Sequence, residues 1–161
     1  MTNIAKYSGK CDTIQNKVRL IKFDELNELL DLYKYLNSDD PDMKGTDYIT
    51  QLWVEIFNDP NRYYFVVEED GKLVSVCMLT IIKNLTRSGR PFGLIENVVT
   101  HSEYRNRGYG TAILQKAVET AKRNNCYKVM LLTGRKEEST LRFYEKAGFE
   151  RGVKTGFIKK L

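Results

Sequence analysis

The sequence has few of the features that mark exported, membrane-spanning or disulfide-stabilised proteins. Its 161 residues contain three cysteines, Cys11, Cys77 and Cys126, whose odd number and wide spacing fit neither a disulfide framework nor a C-x-x-C metal or redox site. No apolar run approaches the roughly 18 residues that a membrane-spanning helix needs. Residues 1–10 lack the apolar core of a signal peptide. We therefore expect a cytoplasmic protein with no metal site and no membrane partner.

Neither sign of charge dominates the sequence. The net charge is +5, from 26 lysine and arginine residues against 21 aspartate and glutamate residues. This surplus suits an anionic ligand, but it is too small and too evenly spread to predict a nucleic-acid partner. Hydrophobic residues make up 42% and charged residues 29% of the chain, as in ordinary globular domains. A chain of this length is expected to fold as one domain.

The order of the hydrophobic patterns predicts a domain built around a mixed sheet. Residues 1–16 are polar and lack a sustained period, so we expect a loosely ordered arm before a single domain at residues 17–161. After a first strand come two helices, the first capped by Asp24, then antiparallel strands and a β-α-β crossover. The predicted strands lie at 18–21, 63–68, 73–82, 94–100 and 129–132, with one or two closing strands in 149–161. The fold class is α/β (α+β), with a mixed, mostly antiparallel sheet of six to seven strands flanked by about four helices.

Residues 94–111, LIENVVTHSEYRNRGYGT, carry the clearest chemical signal. A strand leads into a basic turn and then into a helix whose start contains Gly108 and Gly110. The N–H groups of a first helical turn have no helical partner and favour negative charge, and the glycines let a phosphate approach the backbone. Arg105 and Arg107 add positive charge. The segment predicts an anion site, although a glycine-containing loop on a basic surface would leave the same pattern.

Two commoner phosphate loops are excluded at this point in the chain. The sequence has no G-x-x-x-x-G-K-S/T pattern, and Ile113 stands where G-x-G-x-x-G requires its third glycine. The glycine-containing loop at residues 105–111 therefore belongs to neither of these two classes of phosphate-binding loop.

Two motifs resemble those of the GNAT superfamily of acetyl-coenzyme A-dependent N-acetyltransferases. Residues 105–110, RNRGYG, match the family signature Q/R-x-x-G-x-G/A, and residues 141–149, LRFYEKAGF, resemble its F-Y-x-x-x-G-F helix end. One long helix and one strand separate the motifs, as in the family, and the resemblance covers roughly residues 17–161. It implies direct transfer of an acetyl group from acetyl-CoA to a primary amine, and a splayed wedge between the fourth and fifth strands.

The resemblance also implies where acetyl-CoA binds. The pyrophosphate is expected on the backbone N–H groups of the signature loop, and the pantetheine arm along the main chain of the strand before it. Family members often carry an asparagine that contacts the pantetheine region, and this sequence has Glu137 at that position. Ser139 is therefore the candidate to replace the asparagine. The implied cofactor-binding residues are Val98, Val99, Arg105, Asn106, Arg107, Gly108, Tyr109, Gly110, Thr111, Ser139 and Tyr144.

Acetyl transfer to an amine needs two proton transfers. An alkylamine has a pKa of about 10.4, so a base must remove a proton before it can attack, and Glu96 is the candidate base, directly or through a water. Tyr144 is the candidate acid for the departing thiolate, and the N–H of Val98 could polarise the thioester carbonyl. Two alternatives stay open: Glu96 can face solvent, and Tyr144 can be a core aromatic residue. For His101, the lone histidine, we expect a surface or capping role.

The acceptor amine is the least determined part of the prediction. Residues 94–100 and 126–128 resemble glucosamine-6-phosphate N-acetyltransferases, whereas residues 59–71 and the chain end are more similar to aminoalkylphosphonate N-acetyltransferases. Both acceptors are small anionic amines, and Arg87 and Arg90 are candidates for binding the anionic group, although exposed loop arginines without that role fit equally well. A catalytically silent acyl-CoA-binding module and a peptide or protein N-acetyltransferase stay as alternatives. Unpaired closing strands would allow a homodimer.

Overall fold

The computed structural model describes residues 14–161. Most of the predicted arm, residues 1–16, therefore lies outside the described residues. In its described part, Ile14 packs against the core, and its carbonyl accepts a hydrogen bond from the N–H of Lys17 at 3.0 Å.

Residues 18–161 form five strands and four α-helices. The strands are β1 (Val18–Leu20), β2 (Arg62–Glu69), β3 (Lys72–Ile82), β4 (Phe92–Thr100) and β5 (Val129–Leu131). The helices are α1 (Leu26–Tyr33), α2 (Asp47–Phe57), α3 (Tyr109–Arg123) and α4 (Glu138–Lys146).

The start of α1 differs from the prediction. A short 3-10 turn, Phe23–Glu25, precedes the helix, and Asp24 lies within this turn instead of capping the helix. Glu25 fixes the turn because its carboxylate accepts the N–H of Lys22 at 2.7 Å and both terminal nitrogens of Arg19 at 2.6 and 2.8 Å. Asp24 was the wrong choice of cap, because a carboxylate held by a neighbouring strand's arginine decides where the turn forms.

The five strands form one sheet in the order β1-β2-β3-β4-β5. The first four strands are antiparallel, and β4 and β5 run parallel. This confirms the predicted mixed, mostly antiparallel fold class, but the expected sixth and seventh strands are absent from the described residues. Residues 149–161 form no strand, and Phe157 and Ile158 are 93% and 82% exposed. With only three residues in β5, the sheet offers this segment a short edge for strand pairing, although Phe149 at its start packs against the α3-face core.

Helices cover both faces of the sheet, and alternate residues of each strand point to opposite faces. On the α1 face, helices α1 and α2 bury Leu29, Leu32 and Trp53 against Val66, Val76 and Val99. On the α3 face, helix α3 buries Ile113, Leu114 and Ala117 against Val67, Leu79 and Ile95, and α4 packs there through Phe143 and Tyr144. Each side chain of β4 can therefore be assigned to one of two compartments.

Strand β4 is irregular in its second half. Val99 pairs with Val76 and Glu96 with Met78, so Asn97 and Val98 together lie opposite Cys77. This two-against-one count is a β-bulge. Asn97 has a left-handed backbone with φ of 53°, which asparagine tolerates better than most residues. The bulge takes the main chain around Asn97 and Val98 out of the regular ladder with β3.

The parallel pairing of β4 and β5 is short. It extends over three pairs, from Gly93 with Val129 to Ile95 with Leu131, while β4 continues to Thr100. Beyond Ile95, no described strand pairs with this side of β4. The separation agrees with the predicted splay of the fourth and fifth strands.

Candidate active site

The start of α3 presents a row of backbone N–H groups that donate to no described residue. Gly108, the residue before the helix, and Asn106 both have left-handed backbones, with φ of 87° and 60°. Among the described residues, no group accepts a hydrogen bond from the N–H groups of residues 107–111, and the first to donate is that of Ala112, to the Gly108 carbonyl at 3.0 Å. Consecutive N–H groups at a helix N-terminus attract anions. The residues present therefore fit a phosphate group.

Gly110 is needed because α4 packs closely on this loop. A Cβ atom at position 110 would lie 3.0 Å from Cζ of Phe143 and 3.5 Å from Oγ1 of Thr100. A larger residue would push against the aromatic ring, which itself belongs to the α3-face cluster. The glycine thus keeps the loop and α4 in contact while leaving the N–H groups accessible.

The side chains of the basic turn fold back on the loop. Arg105 Nε donates to the carbonyl of Thr100 at 3.2 Å, and a terminal nitrogen of Arg107 donates to the carbonyl of Glu103 at 3.0 Å. The Arg107 guanidinium also lies 4.8 Å from the ring centre of Tyr104. Both guanidinium groups are therefore held against the segment 100–104 that leads into the loop.

Tyr109 and Thr111 differ in what they can offer a ligand. The Tyr109 side chain is buried, and its hydroxyl donates to Glu69 Oε1 at 2.7 Å, so Tyr109 is restricted to its main chain in the loop. Thr111 is half-buried in the first turn of α3. Glu69 also forms an ion pair with Lys17, and the hydrogen bonds from Lys17 and Tyr109 hold the pKa of its carboxyl below the usual value.

Glu96 and Tyr144 lie on opposite faces of the sheet beside the splay. Glu96 pairs across the ladder with Met78, which packs against the α1-face cluster, so Glu96 belongs to the α1 face. Tyr144 packs against the α3-face cluster, with its ring centre 4.9 Å from that of Phe143. Burial raises the pKa of Tyr144, Arg135 opposes the rise, and Glu96 adds to it. A tyrosine with a raised pKa keeps its proton at neutral pH, as an acid must.

The remaining residues of the predicted cofactor site lie around the same splay. Val98 packs on the α3 face and Val99 on the α1 face, on the strand edge that β5 leaves unpaired. Ser139 is exposed in the first turn of α4. Asn106 is exposed in the turn before α3.

Within this chain, Arg87 and Arg90 contact residues 125–127 and lie away from Glu96. Arg90 donates from Nε to the carbonyl of Asn125 at 3.2 Å and from a terminal nitrogen to that of Cys126 at 3.1 Å, which fixes the end of α3. The Arg87 guanidinium lies 5.9 Å from the ring centre of Tyr127. Their loop precedes Phe92, and Glu96 lies four residue steps further along the strand, about 13 Å at 3.3 Å per step.

His101 has the expected capping role. Its Nδ1 accepts the N–H of Glu103 at 3.3 Å at the start of the 3-10 turn Ser102–Tyr104. Its Nε2 forms a hydrogen bond with the Tyr35 hydroxyl at 2.6 Å. Both ring nitrogens are therefore occupied away from Glu96.

The structure draws attention to two residues that the sequence analysis did not name, Asn97 and Arg135. Asn97 interrupts a run of β-branched and aliphatic residues, and asparagine is depleted in strands and enriched in left-handed conformations, so it could have indicated the bulge. Arg135 lies in the loop between β5 and α4 and forms no ion pair with any described residue. This loop follows β5 at the end where β5 separates from β4, which places the charge of Arg135 near the splay.

Two features are absent from residues 14–161. No group of three or more histidine, cysteine, aspartate or glutamate side chains is arranged to hold a metal ion. None of the helices in this part of the chain has the length and apolar character that crossing a bilayer would require.

Comparison with known proteins gives one consistent family. The profile described as Acetyltransferase (GNAT) family matches residues 25–149. The chain is 30% identical over 138 residues to a glucosamine 6-phosphate N-acetyltransferase of Trypanosoma brucei brucei, covering 86% of this chain and 91% of that protein. It is 27% identical to glucosamine 6-phosphate N-acetyltransferase 1 of Dictyostelium discoideum, covering 74% and 84%. A solved Agrobacterium tumefaciens structure assigned as an acetyltransferase has a TM-score of 0.84 at 42% identity, covering 89% of this chain and 99% of that one.

Proposed function

Because the chain belongs to the GNAT family of acetyltransferases, we propose that it transfers the acetyl group of acetyl-CoA directly to the primary amine of a small aminosugar phosphate. The observation that carries the proposal is the position of Glu96 and Tyr144 on opposite faces of a sheet that opens beside unpaired N–H groups. The similarity to two glucosamine 6-phosphate N-acetyltransferases supports the acceptor class.

Acetyl-CoA supplies the acetyl group as a thioester, already activated for transfer. The N–H groups of residues 107–111 would hold its pyrophosphate, with charge from Arg105 and Arg107. The main chain of Val98 and Val99 would hold the pantetheine arm along the unpaired edge of β4. The other contributors to the proposed site are Asn106, Ser139 and Tyr144.

Three groups of the chain act in the proposed reaction. From the α1 face, the Glu96 carboxylate accepts a proton from the acceptor ammonium, so that the amine nitrogen can bond to the acetyl carbon. The Val98 N–H, which the bulge takes out of the ladder, donates to the carbonyl oxygen. From the α3 face, Tyr144 Oη donates its proton to the sulfur as the carbon–sulfur bond breaks, and the second proton that the nitrogen releases on becoming an amide restores the phenol through solvent.

Arg135 replaces Arg87 and Arg90 as our candidate for binding the acceptor phosphate. Arg87 and Arg90 make their contacts at the end of β4 that is remote from the splay. Two N–H donors of Arg90 already bond to the carbonyls of residues 125 and 126. Arg135 is exposed in the loop that follows β5 at the splay, and no described residue pairs with its charge. An unpaired guanidinium beside the splay is suited to a phosphate monoester.

Two broader predictions accompany the proposal. We propose a cytoplasmic enzyme, which is what the sequence alone predicts. We also propose that two copies can associate through the open edge of β5, beside which Leu132 is exposed.

The test is release of free thiol from acetyl-CoA in the presence of a panel of amines. The panel contains glucosamine 6-phosphate, glucosamine, an aminoalkylphosphonate, a polyamine, amino acids and a basic peptide. The proposal predicts turnover of glucosamine 6-phosphate well above that of glucosamine. Glu96→Gln should abolish most of this turnover, and Glu119→Gln, an exposed glutamate of α3, should leave it unchanged.

Each other outcome has a definite meaning. Preferential turnover of the peptide would replace the small-molecule acceptor by a protein terminus. Full activity of Glu96→Gln would remove Glu96 as the base. Silence across the panel, with acetyl-CoA still bound, would favour a binding module without catalysis.

A further inference from the structure

One buried side chain ties the loop before α3 to the sheet. Among residues 105–109 only Tyr109 is buried, and the four residues before it are exposed. Tyr109 belongs to the α3-face cluster, and its hydroxyl donates to Glu69 Oε1 at 2.7 Å. Glu69 is the last residue of β2 and pairs with Lys72 of β3. The hydrogen bond therefore joins the loop to a fixed part of the sheet.

The main chain of the loop has few constraints of its own. Gly108 and Gly110 lie on either side of Tyr109, and glycine has more backbone freedom than any other residue. The N–H groups of residues 107–111 donate to no described residue, so no hydrogen bond from these groups fixes the backbone. The orientation of the five N–H groups therefore depends on the side chain that anchors the loop.

Glu69 is itself held in place by the segment that precedes β1. Lys17 forms an ion pair with the Glu69 carboxylate, and the Lys17 N–H donates to the Ile14 carbonyl at 3.0 Å. Ile14 in turn lies against the loop, since its Cδ1 is 3.3 Å from where a Cβ of residue 108 would be. The acceptor for the Tyr109 hydroxyl is thus a fixed carboxylate, and hydrogen bonds to ionised acceptors are stronger than neutral ones.

We propose that Glu69 is a positioning residue for acetyl-CoA, acting through the Tyr109 hydroxyl. By holding Tyr109, it keeps the N–H groups of residues 107–111 in the arrangement that receives the pyrophosphate. Strand β3 separates β2 from β4, so Glu69 lies away from Glu96 and should affect the affinity for acetyl-CoA without affecting the chemical step. The inference rests on the proposed function, which assigns the pyrophosphate to this loop.

The first measurement uses Tyr109→Phe, which removes only the hydroxyl. Coenzyme A is the probe, and calorimetric titration measures its Kd. We expect the Kd to rise about tenfold, because losing a hydrogen bond to a charged acceptor lowers the population of the binding-competent loop by about that factor. The kcat at saturating acetyl-CoA, with the amine that the wild type acetylates best, should change less than twofold. An unchanged Kd would overturn the inference.

Substitutions of the glutamate separate positioning from general stability. Glu69→Ala should raise the Kd as Tyr109→Phe does, whereas Glu69→Gln keeps an oxygen that can accept the hydroxyl and should restore most of the affinity. Glu68→Ala is the matched control, because Glu68 is the preceding residue of β2 and pairs with Arg19 at 2.6 Å. It should leave the Kd unchanged. If Glu69→Ala lowered the melting temperature and left the Kd of the folded variant unchanged, the role would be structural and the inference would be overturned.

A double-mutant cycle tests whether the two residues act together. In the Glu69→Ala background, Tyr109→Phe should change the Kd of coenzyme A less than twofold, because the hydroxyl has already lost its acceptor. Tenfold effects in both backgrounds would contradict the inference, since Tyr109 would then act independently of Glu69.

A measurement without ligand separates this inference from the proposed function. Nuclear magnetic resonance relaxation gives the backbone order parameters of residues 107–111, which should fall in Tyr109→Phe and stay at the wild-type values in Glu68→Ala. Unchanged order parameters in Tyr109→Phe would overturn the anchoring role, whatever coenzyme A does. If coenzyme A bound the wild type without shifting the amide signals of residues 107–111, or did not bind, the pyrophosphate assignment would fail. The cofactor role of Glu69 would fail with it, even where the order parameters fall.

Discussion

Substitution of Gly110 by valine tests the assignment of the loop before α3 most directly. The added Cβ would lie 3.0 and 3.2 Å from two ring carbons of Phe143, closer than such atoms normally approach. Valine adds two methyl groups beyond that atom, so the ring or the loop must move. Overpacking of this kind costs about 1–3 kcal/mol, which in a domain of this size lowers Tm by roughly 2–12 °C.

The larger effect should fall on acetyl-CoA. The shift moves the N–H groups of residues 107–111, and these are the groups that would hold the pyrophosphate. We expect the Kd for acetyl-CoA to rise at least about tenfold, equivalent to about 1.4 kcal/mol. Calorimetric titration measures the Kd, and circular dichroism checks that the variant is folded at the temperature of the titration.

Two controls separate local displacement from general damage. Gly134→Ala adds a methyl group where no atom lies within 4 Å, and it should leave both the Tm and the Kd close to wild type. Gly110→Ala should have an intermediate effect, because better helix propensity offsets part of the clash. A folded Gly110→Val variant that binds acetyl-CoA with wild-type affinity would refute the assignment of this loop.

Three further predictions concern other parts of the chain. Tyr144→Phe should lower kcat about 100-fold with little change in the Kd of acetyl-CoA, and a wild-type rate would move the acid role elsewhere. Burial favours a raised pKa for Glu25, but the hydrogen bonds from Arg19 and the Lys22 N–H outweigh it and hold the pKa below its usual value. The stability that Glu25 contributes is present above its unfolded pKa and is lost as pH falls through its folded pKa, so melts from pH 6 to pH 3 should show a steeper loss for wild type than for Glu25→Gln. Arg135→Ala should raise the KM of glucosamine 6-phosphate and leave that of glucosamine unchanged; equal changes for both amines would exclude a phosphate contact.

The sequence was sufficient to predict an element where its local pattern and its packing in the fold depend on the same residues. The stripe of Ile113, Leu114 and Ala117 predicted α3, and the same residues form its buried face. Gly148 predicted the end of α4, and it has a left-handed φ of 93° there. In both cases the residues next to one another in the sequence are enough to predict the helix or its end.

The sequence was insufficient to predict an element where its structure depends on a strand or side chain from another part of the chain. The apolar residues at 149–161 have strand character, but β5 is too short to receive them as a further strand. Whether Asp24 or Glu25 controls the start of α1 depends on Arg19, which lies on a different element.

The position of Arg90 could have been deduced from chain direction. The loop before a strand and the loop after it lie at opposite ends of that strand. The anion loop follows β4, so a loop that precedes β4 must lie remote from it.

The short parallel pairing between β4 and β5 has a consequence for the protein in storage and in the cell. From Glu96 to Thr100, one side of β4 carries main-chain donors and acceptors that no described strand satisfies. Such a row is a template on which any extended chain can add itself, including a segment of another molecule. A bound pantetheine arm would occupy that template. The ligand-free enzyme should therefore aggregate more readily than the loaded one, and a modest concentration of coenzyme A should protect it during purification and concentration.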